Sequence, residues 1–442
     1  MTASGAQPQI THRRVLNVAV PIVISNATIP LLGLIDTGVV GQLGQAAPIG
    51  AVGIGAVILT GIYAIFGFLR MGTSGLAAQA LGAGNRAEVA ALLTRGLMIG
   101  ALGGLLVIVL QAPFFYGAFL LAPASDEVEG LARGYMQVRV WGAPAVIGMY
   151  AITGWLIALE RTRAVLAIQL LMNGANIGLD LWFVLGLDWG VVGVAWATLI
   201  AEWSGLALGL WLCRGAFQVP DWRDWPRVFD PVRLRRMAAV NSDILMRALM
   251  IQTIFVSFLF WGADFGDTTL AANQVLLQLV YLTSFTMDGF AVAAETLVGQ
   301  AFGARQRAHL RRAALLTSGW ALTICALLSL VFWLFGPTLV AWMATAESVR
   351  LAAHIYLPYL VLVPVCSCAA FMLDGVFIGA TRTHDMRNMM AASLAIYLAV
   401  ALVLMPVWGN NGLWVALLVS FIARGATLAV RYPALERASE AA

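Results

Sequence analysis

Across 442 residues, 61% are hydrophobic and 11% charged, with a formal net charge of +4 and a mean hydropathy of +0.87. A soluble domain carries about 25% charged residues; here the shortfall runs the whole length of the chain, which excludes both a soluble globular protein and a single-span anchor. Apolar runs of about 20 residues, continuous rather than alternating with polar positions, exclude a β-barrel and predict an all-α polytopic membrane protein.

Twelve helical runs follow in chain order, at 15–41, 48–70, 88–112, 131–158, 163–186, 190–213, 234–261, 268–297, 309–335, 348–379, 388–406 and 410–432. The joints carry Gly, Pro, Asn and charged residues, as membrane hairpins do. Residues 1–14 are polar, and the apolar run behind them is too long for a cleavable signal peptide and has no cleavage site.

Every basic side chain besides histidine is arginine, and placement of the arginines sets orientation. Arg13 and Arg14 precede the first run, Arg86 and Arg95 bracket the second joint, and Arg161 and Arg163 mark the fourth. Arg214, Arg223, Arg227, Arg233, Arg235 and Arg236 crowd the sixth, Arg305, Arg307, Arg311 and Arg312 the eighth, and Arg382 and Arg387 the tenth. The odd-numbered joints carry Asp126, Glu127, Glu129, Asp188, Asp264, Asp267 and Glu347 instead. This alternation predicts a multi-pass protein with both termini cytoplasmic. It also accounts for the basic balance without a nucleic-acid partner; the partners expected are the bilayer and a small molecule, with the chain acting as a monomer.

An internal repeat sets the fold class. The stretch from Leu76 to Arg86 (LAAQALGAGNR) matches that from Leu297 to Arg307 (LVGQAFGARQR), and Arg161-Thr162 matches Arg382-Thr383, both at an offset of 221 positions. Trp189-Gly190 matches Trp408-Gly409 at 219. Each unit holds six helices, an even number, so the halves share orientation. The expectation is two pseudo-symmetric six-helix bundles around a cleft: 1–213 as the N-terminal lobe, 214–233 as a polar, Pro- and Trp-bearing cytoplasmic linker, and 234–442 as the C-terminal lobe.

Asp36 lies in the otherwise apolar, Gly- and Pro-punctuated stretch Pro30-Leu31-Leu32-Gly33-Leu34-Ile35-Asp36-Thr37-Gly38. A charge at membrane depth costs about 2.5–3.5 kcal/mol on insertion scales. At the repeat offset it faces Ser257 or Phe258, and Asp180 faces the Val400-Ala401 stretch, so neither acid recurs in the second half. A role common to both bundles would recur; a coupling site need occur once. At about 1.5 Å rise per residue, Asp36, Asp180 and Thr198 all fall roughly 8–12 Å below the outer surface. Asn176 and Asp180 are spaced i, i+4 and share a face, with Asn173 close to that stripe. Asp36, Asp180, Asn176 and Thr198 are therefore the candidate ion-coupling set. Desolvation and two like charges favour protonating one carboxyl, and the same oxygens could coordinate Na⁺.

Pro21 and Pro30 each remove a helical hydrogen bond and permit helix 1 to bend. Glu202, one turn below Thr198, is a candidate proton relay or a structural partner for a neighbouring helix, and Tyr135 is a candidate cavity residue. In the second half, Asp243 and Arg247 at i, i+4 are expected to pair, and with Asp288, Glu295 and Asp374 they make either an inner gate or a solvated set near the interface. Cys213, Cys325, Cys366 and Cys368 lie in apolar runs without His or carboxylate at ligand spacing, so no metal or other cofactor is expected. G-x-S-x-G, Walker A and H-E-x-x-H patterns are absent, so an enzyme is not expected, and transport energy would come from an ion gradient.

Several stretches together resemble the multidrug and toxic compound extrusion (MATE) family, and within it the DinF-like branch. They are Pro30 to Thr37 (PLLGLIDT), Gln79 to Ala83 (QALGA), Ala271 to Leu277 (AANQVLL), Met287 to Phe290 (MDGF), Gly299 to Ala304 (GQAFGA) and Leu373 to Arg382 (LDGVFIGATR). The resemblance implies twelve helices in two lobes, alternating access, and antiport of amphipathic, mostly cationic compounds against H⁺ or Na⁺ across the bacterial inner membrane. Family proton-site positions fall on Asp36, Asn176, Asp180 and Thr198, with Tyr135 a fifth, and Thr153 stands where relatives carry an amide. The second-lobe acids of other branches have no counterpart here, which favours the proton. The alternatives are a Na⁺-coupled exporter and a lipid-linked precursor flippase of the wider superfamily, which would show extra helices or an Arg-rich central cavity.

Overall fold

The structure is a computed structural model and describes residues 9–42, 46–121 and 125–441. The described residues are almost all helical and include no strand. We number the long helices α1 (His12–Gly41), α2 (Ala47–Gly82), α3 (Arg86–Val109), α4 (Asp126–Ala158), α5 (Thr162–Gly186) and α6 (Gly190–Leu212). They continue as α7 (Pro231–Ala263), α8 (Asp267–Gly303), α9 (Arg307–Met343), α10 (Glu347–Gly379), α11 (Thr383–Trp408) and α12 (Asn410–Ala441). Eleven of these, α2 to α12, are long and apolar enough to cross a membrane, and the 30-residue α1 precedes them. The all-α polytopic fold is thus as expected, because a bilayer admits only chains that satisfy their own backbone. Half of the helices run a turn or more past the apolar runs: α2 extends to Gly82 and α8 to Gly303, through the buried Gln79 and Gln300.

The repeat survives in the backbone. Left-handed φ angles occur at Gly84 (73°) and Arg305 (57°), at Glu160 (58°) and Thr381 (49°), and at Gly190 and Gly409 (56° each), pairs related by the repeat offsets. The turns close alike: Asn85 donates to the Ala80 carbonyl at 2.9 Å as Gln306 does to Ala301 at 3.0 Å, and Arg161 to Leu156 at 2.8 Å as Arg382 does to Phe377 at 2.9 Å. These are Schellman-type helix ends. Close approach recurs too: a Cβ on Gly154 would lie 2.3 Å from the Arg70 carbonyl, and one on Gly375 would lie 2.3 Å from the Ala291 carbonyl. Helices in lipid pack through such small residues.

The chain forms two compact units. One holds Ile24–Ala80 and Asn85–Asn241; the other holds the described residues up to Val23, Leu81–Gly84 and the chain from Ser242 onward. In the first, α3 meets α4 along Gly96, Gly100 and Gly104, which abut Ala151, Gly148 and Pro144. The segment 214–233 contains short helices at Arg214–Phe217, Pro220–Arg223 and Trp225–Val228 and docks on α3. Arg95, read from sequence as a joint marker, is instead buried, because its guanidinium donates to the carbonyls of Val228 (2.9 Å) and Arg227 (2.6 Å) and to Glu88 (2.6 Å). Glu88 also pairs with Arg233.

In the second unit the core centres on Trp414, whose indole donates to Asn273 Oδ1 at 2.9 Å. Asn273 and Asn410 exchange reciprocal hydrogen bonds at 2.8 and 3.0 Å, fastening α8 to the start of α12. Phe258 meets Trp414 edge to face, with ring centroids 5.0 Å apart.

Candidate functional site

Four helices of the first unit carry polar side chains into one apolar interior. Asp180 is the last α-helical residue of α5, and the chain then widens into a π-helical turn, Leu181–Gly186. Such turns free backbone groups and re-aim side chains, and they occur often at functional sites. Asp180 is fully buried and Asp36 half-buried. Their carboxyls face one another within hydrogen-bonding range. Among the described residues neither Asp180 oxygen has an N–H or O–H donor, and Asn176 Oδ1 has none either. Two carboxylates have no hydrogen to share, so the contact requires a proton on one of them or a cation between them.

The remaining members of the predicted set stand beside this pair. Asn176 Nδ2 donates to Thr198 Oγ1 at 3.2 Å, and the Thr198 hydroxyl donates to the Val194 carbonyl at 3.0 Å. That chain orients the amide so that its Oδ1 is left over, one helical turn from Asp180. Asn173 accepts from Gln169 at 2.9 Å and donates to the Thr28 carbonyl of α1 at 3.4 Å, linking α5 to α1.

Arg139 is the residue that sequence reasoning missed. It is buried near the middle of the α4 span, and its Nη2 donates to Glu202 Oε1 of α6 at 2.8 Å. Its charge also acts on Asp36 and Asp180. Three carboxyl groups thus share the field of one guanidinium, which touches Glu202 alone of the three, a formal excess of two negative charges that a buried site holds only with protons or a cation. The arginines at the joints are topology signals, whereas Arg139 is a lone arginine amid Val138, Val140 and Trp141, as conspicuous in the sequence as Asp36.

Local packing holds this ion pair in place. The Tyr63 hydroxyl donates to the Arg139 carbonyl at 3.1 Å, and the guanidinium carbon stands 5.8 Å from the Tyr135 ring centroid. Tyr135, buried, packs against Gly55, where an added Cβ would lie 2.7 Å from its ring. α4 tightens into a 3₁₀ turn at Val140–Gly142, and a Cβ on Gly142 would fall 2.0 Å from Glu202 Oε2. The bare backbone at Gly142 leaves room for the Glu202 carboxylate in this position.

Other predicted residues lie elsewhere. Thr153 is not drawn into the cluster; its hydroxyl bonds the Met149 and Tyr150 carbonyls of its own helix, at 2.7 and 3.1 Å. Pro21 is buried in α1, which continues as helix through both prolines; the Pro30 side chain lies outside the described residues. The expected Asp243–Arg247 pair does not form. Arg247 reaches Asp374 at 2.6 Å, while Asp243 accepts from Arg387 at 2.7 Å and Thr383 at 3.0 Å. Partners on other helices win because they meet these groups in the interior, whereas an i, i+4 pair along α7 would leave the distant charges unpaired. Arg424, a second buried arginine that was missed, stands 3.7 Å from Asp374, beside the rings of Phe371 and Phe421. Asp288 is half-buried, Glu295 is buried, and both have partners.

Comparison with known proteins agrees with this architecture. The MatE family model matches twice, over residues 21–182 and 244–407. The chain belongs to the MatE family. It is 36% identical over 425 residues to DNA damage-inducible protein F of Escherichia coli, covering 93% of this chain and 90% of that protein. It is 30% identical over 446 residues to a Caulobacter vibrioides protein named "Probable multidrug resistance protein NorM", covering 93% and 89%. Among solved structures, a MATE protein in the bent conformation superposes with a TM-score of 0.86 at 22% identity, over 97% of this chain and 96% of that one. The Vibrio cholerae MATE transporter VcmN in its bent form gives 0.85 at 20%, over 97% and 98%. This MatE-family chain is therefore a multi-pass membrane protein of a transporter family, with the Asp36–Asp180 contact inside its first matched segment.

Proposed function

We propose that this chain is a secondary exporter that moves small amphipathic, mostly cationic compounds out of the cell in exchange for protons, by alternating access. The single observation carrying the proton is the contact between Asp36 and Asp180 with no donor on Asp180 among the described residues. A proton bridging the two carboxyls satisfies both, and its loss leaves like charges in a low-dielectric interior where they repel. That repulsion pushes α1 away from α5 and biases the proline-bearing helix between two shapes. Asn176 and Thr198 orient the receiving oxygens, and the Arg139–Glu202 pair sets the charge behind them. The export of drug-like compounds draws support from the multidrug-resistance name of the Caulobacter vibrioides relative.

The protein resides in the bacterial inner membrane as a single chain without a cofactor and without catalytic chemistry. Both termini face the cytoplasm, in keeping with arginine at the even-numbered joints. The lobes divide near 214–233, and the second-lobe set of Asp243, Arg247, Asp288, Glu295 and Asp374 serves as an inner gate network. The test is reconstitution in liposomes under imposed pH or Na⁺ gradients, following efflux of a fluorescent cation. Efflux driven by the pH gradient without Na⁺ is expected; dependence on Na⁺ alone would replace the proton with the Na⁺ the same oxygens can hold.

A further inference from the structure

A cleft of about 590 Å³ opens between the first turns of α9 and the last turns of α12, lined by Arg307, Arg311, Arg312, Leu315, Glu436 and Glu440. Both helix ends belong to one compact unit. α9 has 37 residues, which at 1.5 Å each span about 55 Å, against about 40–45 Å for a bilayer with its headgroup layers. A helix of that length reaches from one headgroup layer to the other, and Arg307, Arg311 and Arg312 mark the end at which it leaves the hydrocarbon. Leu315 and Leu322, seven residues apart on one face and 64% and 52% exposed, begin an apolar track toward the hydrocarbon.

Charge is uneven within the cleft. Arg307 is already engaged, with Glu436 and Glu440 each 3.5 Å away. Arg311 and Arg312 are exposed, and no acid pairs with either among the described residues. Three guanidiniums face two carboxylates, leaving one positive charge in excess. The Tyr432 side chain lies within electrostatic reach of Arg307 and Arg311.

We propose that this cleft binds the headgroup of an anionic phospholipid of the phosphatidylglycerol class. Arg311 and Arg312 hold the phosphodiester, for which the planar guanidinium fork is suited, and one acyl chain follows Leu315 and Leu322. Glu436 and Glu440 accept from the glycerol hydroxyls of the headgroup while keeping Arg307. Basic pockets at the ends of membrane helices recognise anionic headgroups by this chemistry. The site requires only that the chain span a bilayer and is independent of the coupling ion.

The test uses full-length protein reconstituted from vesicles of phosphatidylglycerol, phosphatidylethanolamine and phosphatidylcholine in equal parts, then counted for retained lipid by native mass spectrometry. Wild type is expected to retain phosphatidylglycerol over the other two. The R311Q/R312Q double variant should lose at least fivefold of that retention, while R223Q, an exposed arginine elsewhere, leaves it unchanged. Should the double variant fail to fold, R311Q and R312Q singly should each lose twofold or more. Soluble glycerophosphoglycerol at millimolar concentration should not displace the lipid. Equal retention of phosphatidylethanolamine, unchanged retention in these variants, or displacement by the soluble headgroup would each overturn the proposal.

Discussion

The Arg139–Glu202 pair links the stability of the first unit to its proposed chemistry, and the two roles can be separated. Both side chains are about nine-tenths buried, at 10% and 8% exposure, and their charged atoms meet at 2.8 Å. Removing one partner leaves an uncompensated buried charge, which costs about 3–5 kcal/mol. Glu202→Leu and Arg139→Met should each destabilise by that amount. Were the effects independent, the double variant would lose about 6–10 kcal/mol. Removing both charges together instead leaves apolar groups of similar volume, a change that is neutral or stabilising by about 1–4 kcal/mol in such interiors. The double variant should therefore unfold near the wild-type midpoint in mixed detergent micelles, a coupling of several kcal/mol. Transport should not recover with it, because Arg139 is also the cation behind Asp36 and Asp180. An additive double variant would refute the buried pair. Restored stability together with wild-type transport would reduce Arg139 to a structural residue.

Further substitutions follow from the same contacts. Asp36→Asn should nearly abolish proton-driven efflux with expression intact, and unchanged efflux would count against the shared-proton site. Thr153→Ala should leave efflux unaltered, since that hydroxyl serves only its own helix; a large loss would place Thr153 in the pathway. Asn273→Leu leaves the Trp414 indole and Asn410 unpaired and should destabilise by about 1–3 kcal/mol per orphaned group, read by equilibrium unfolding. Gly154→Val and Gly375→Val should impair folding alike, because both force a side chain onto a backbone carbonyl 2.3 Å from the Cβ position; well-folded protein from either would show that the repeat contacts can relax.

Much of the architecture was readable because the bilayer leaves few choices. Apolar runs of spanning length can only be helices, and the motif ending at Arg86 recurs at Arg307 in a chain whose left-handed turns recur at the same offset. Rise per residue converts position to depth without knowledge of packing, so Asp36, Asp180 and Thr198 group by depth and Asn176 joins them by its i, i+4 spacing to Asp180. The structure brings Asp36 to Asp180 and Asn176 to Thr198. Depth says nothing about facing, however. Arg139 finds Glu202 across 63 residues and Arg247 finds Asp374 across 127, pairings that spacing along one helix cannot encode. The local i, i+4 rule therefore paired Asp243 with Arg247, and interior electrostatics chose otherwise. Gly142 was equally silent: only the position of the Glu202 carboxylate shows what a side chain there would meet.

The most direct measurement is proton movement itself. Liposomes loaded with a pH-sensitive dye and carrying purified protein should report one-for-one coupling of proton entry to cation exit, without Na⁺. In Asp36→Asn and Asp180→Asn vesicles the substrate should trigger no proton flux. Wild-type vesicles that expel the cation with no change in internal pH would show that this carboxyl pair does not carry the exchanged proton.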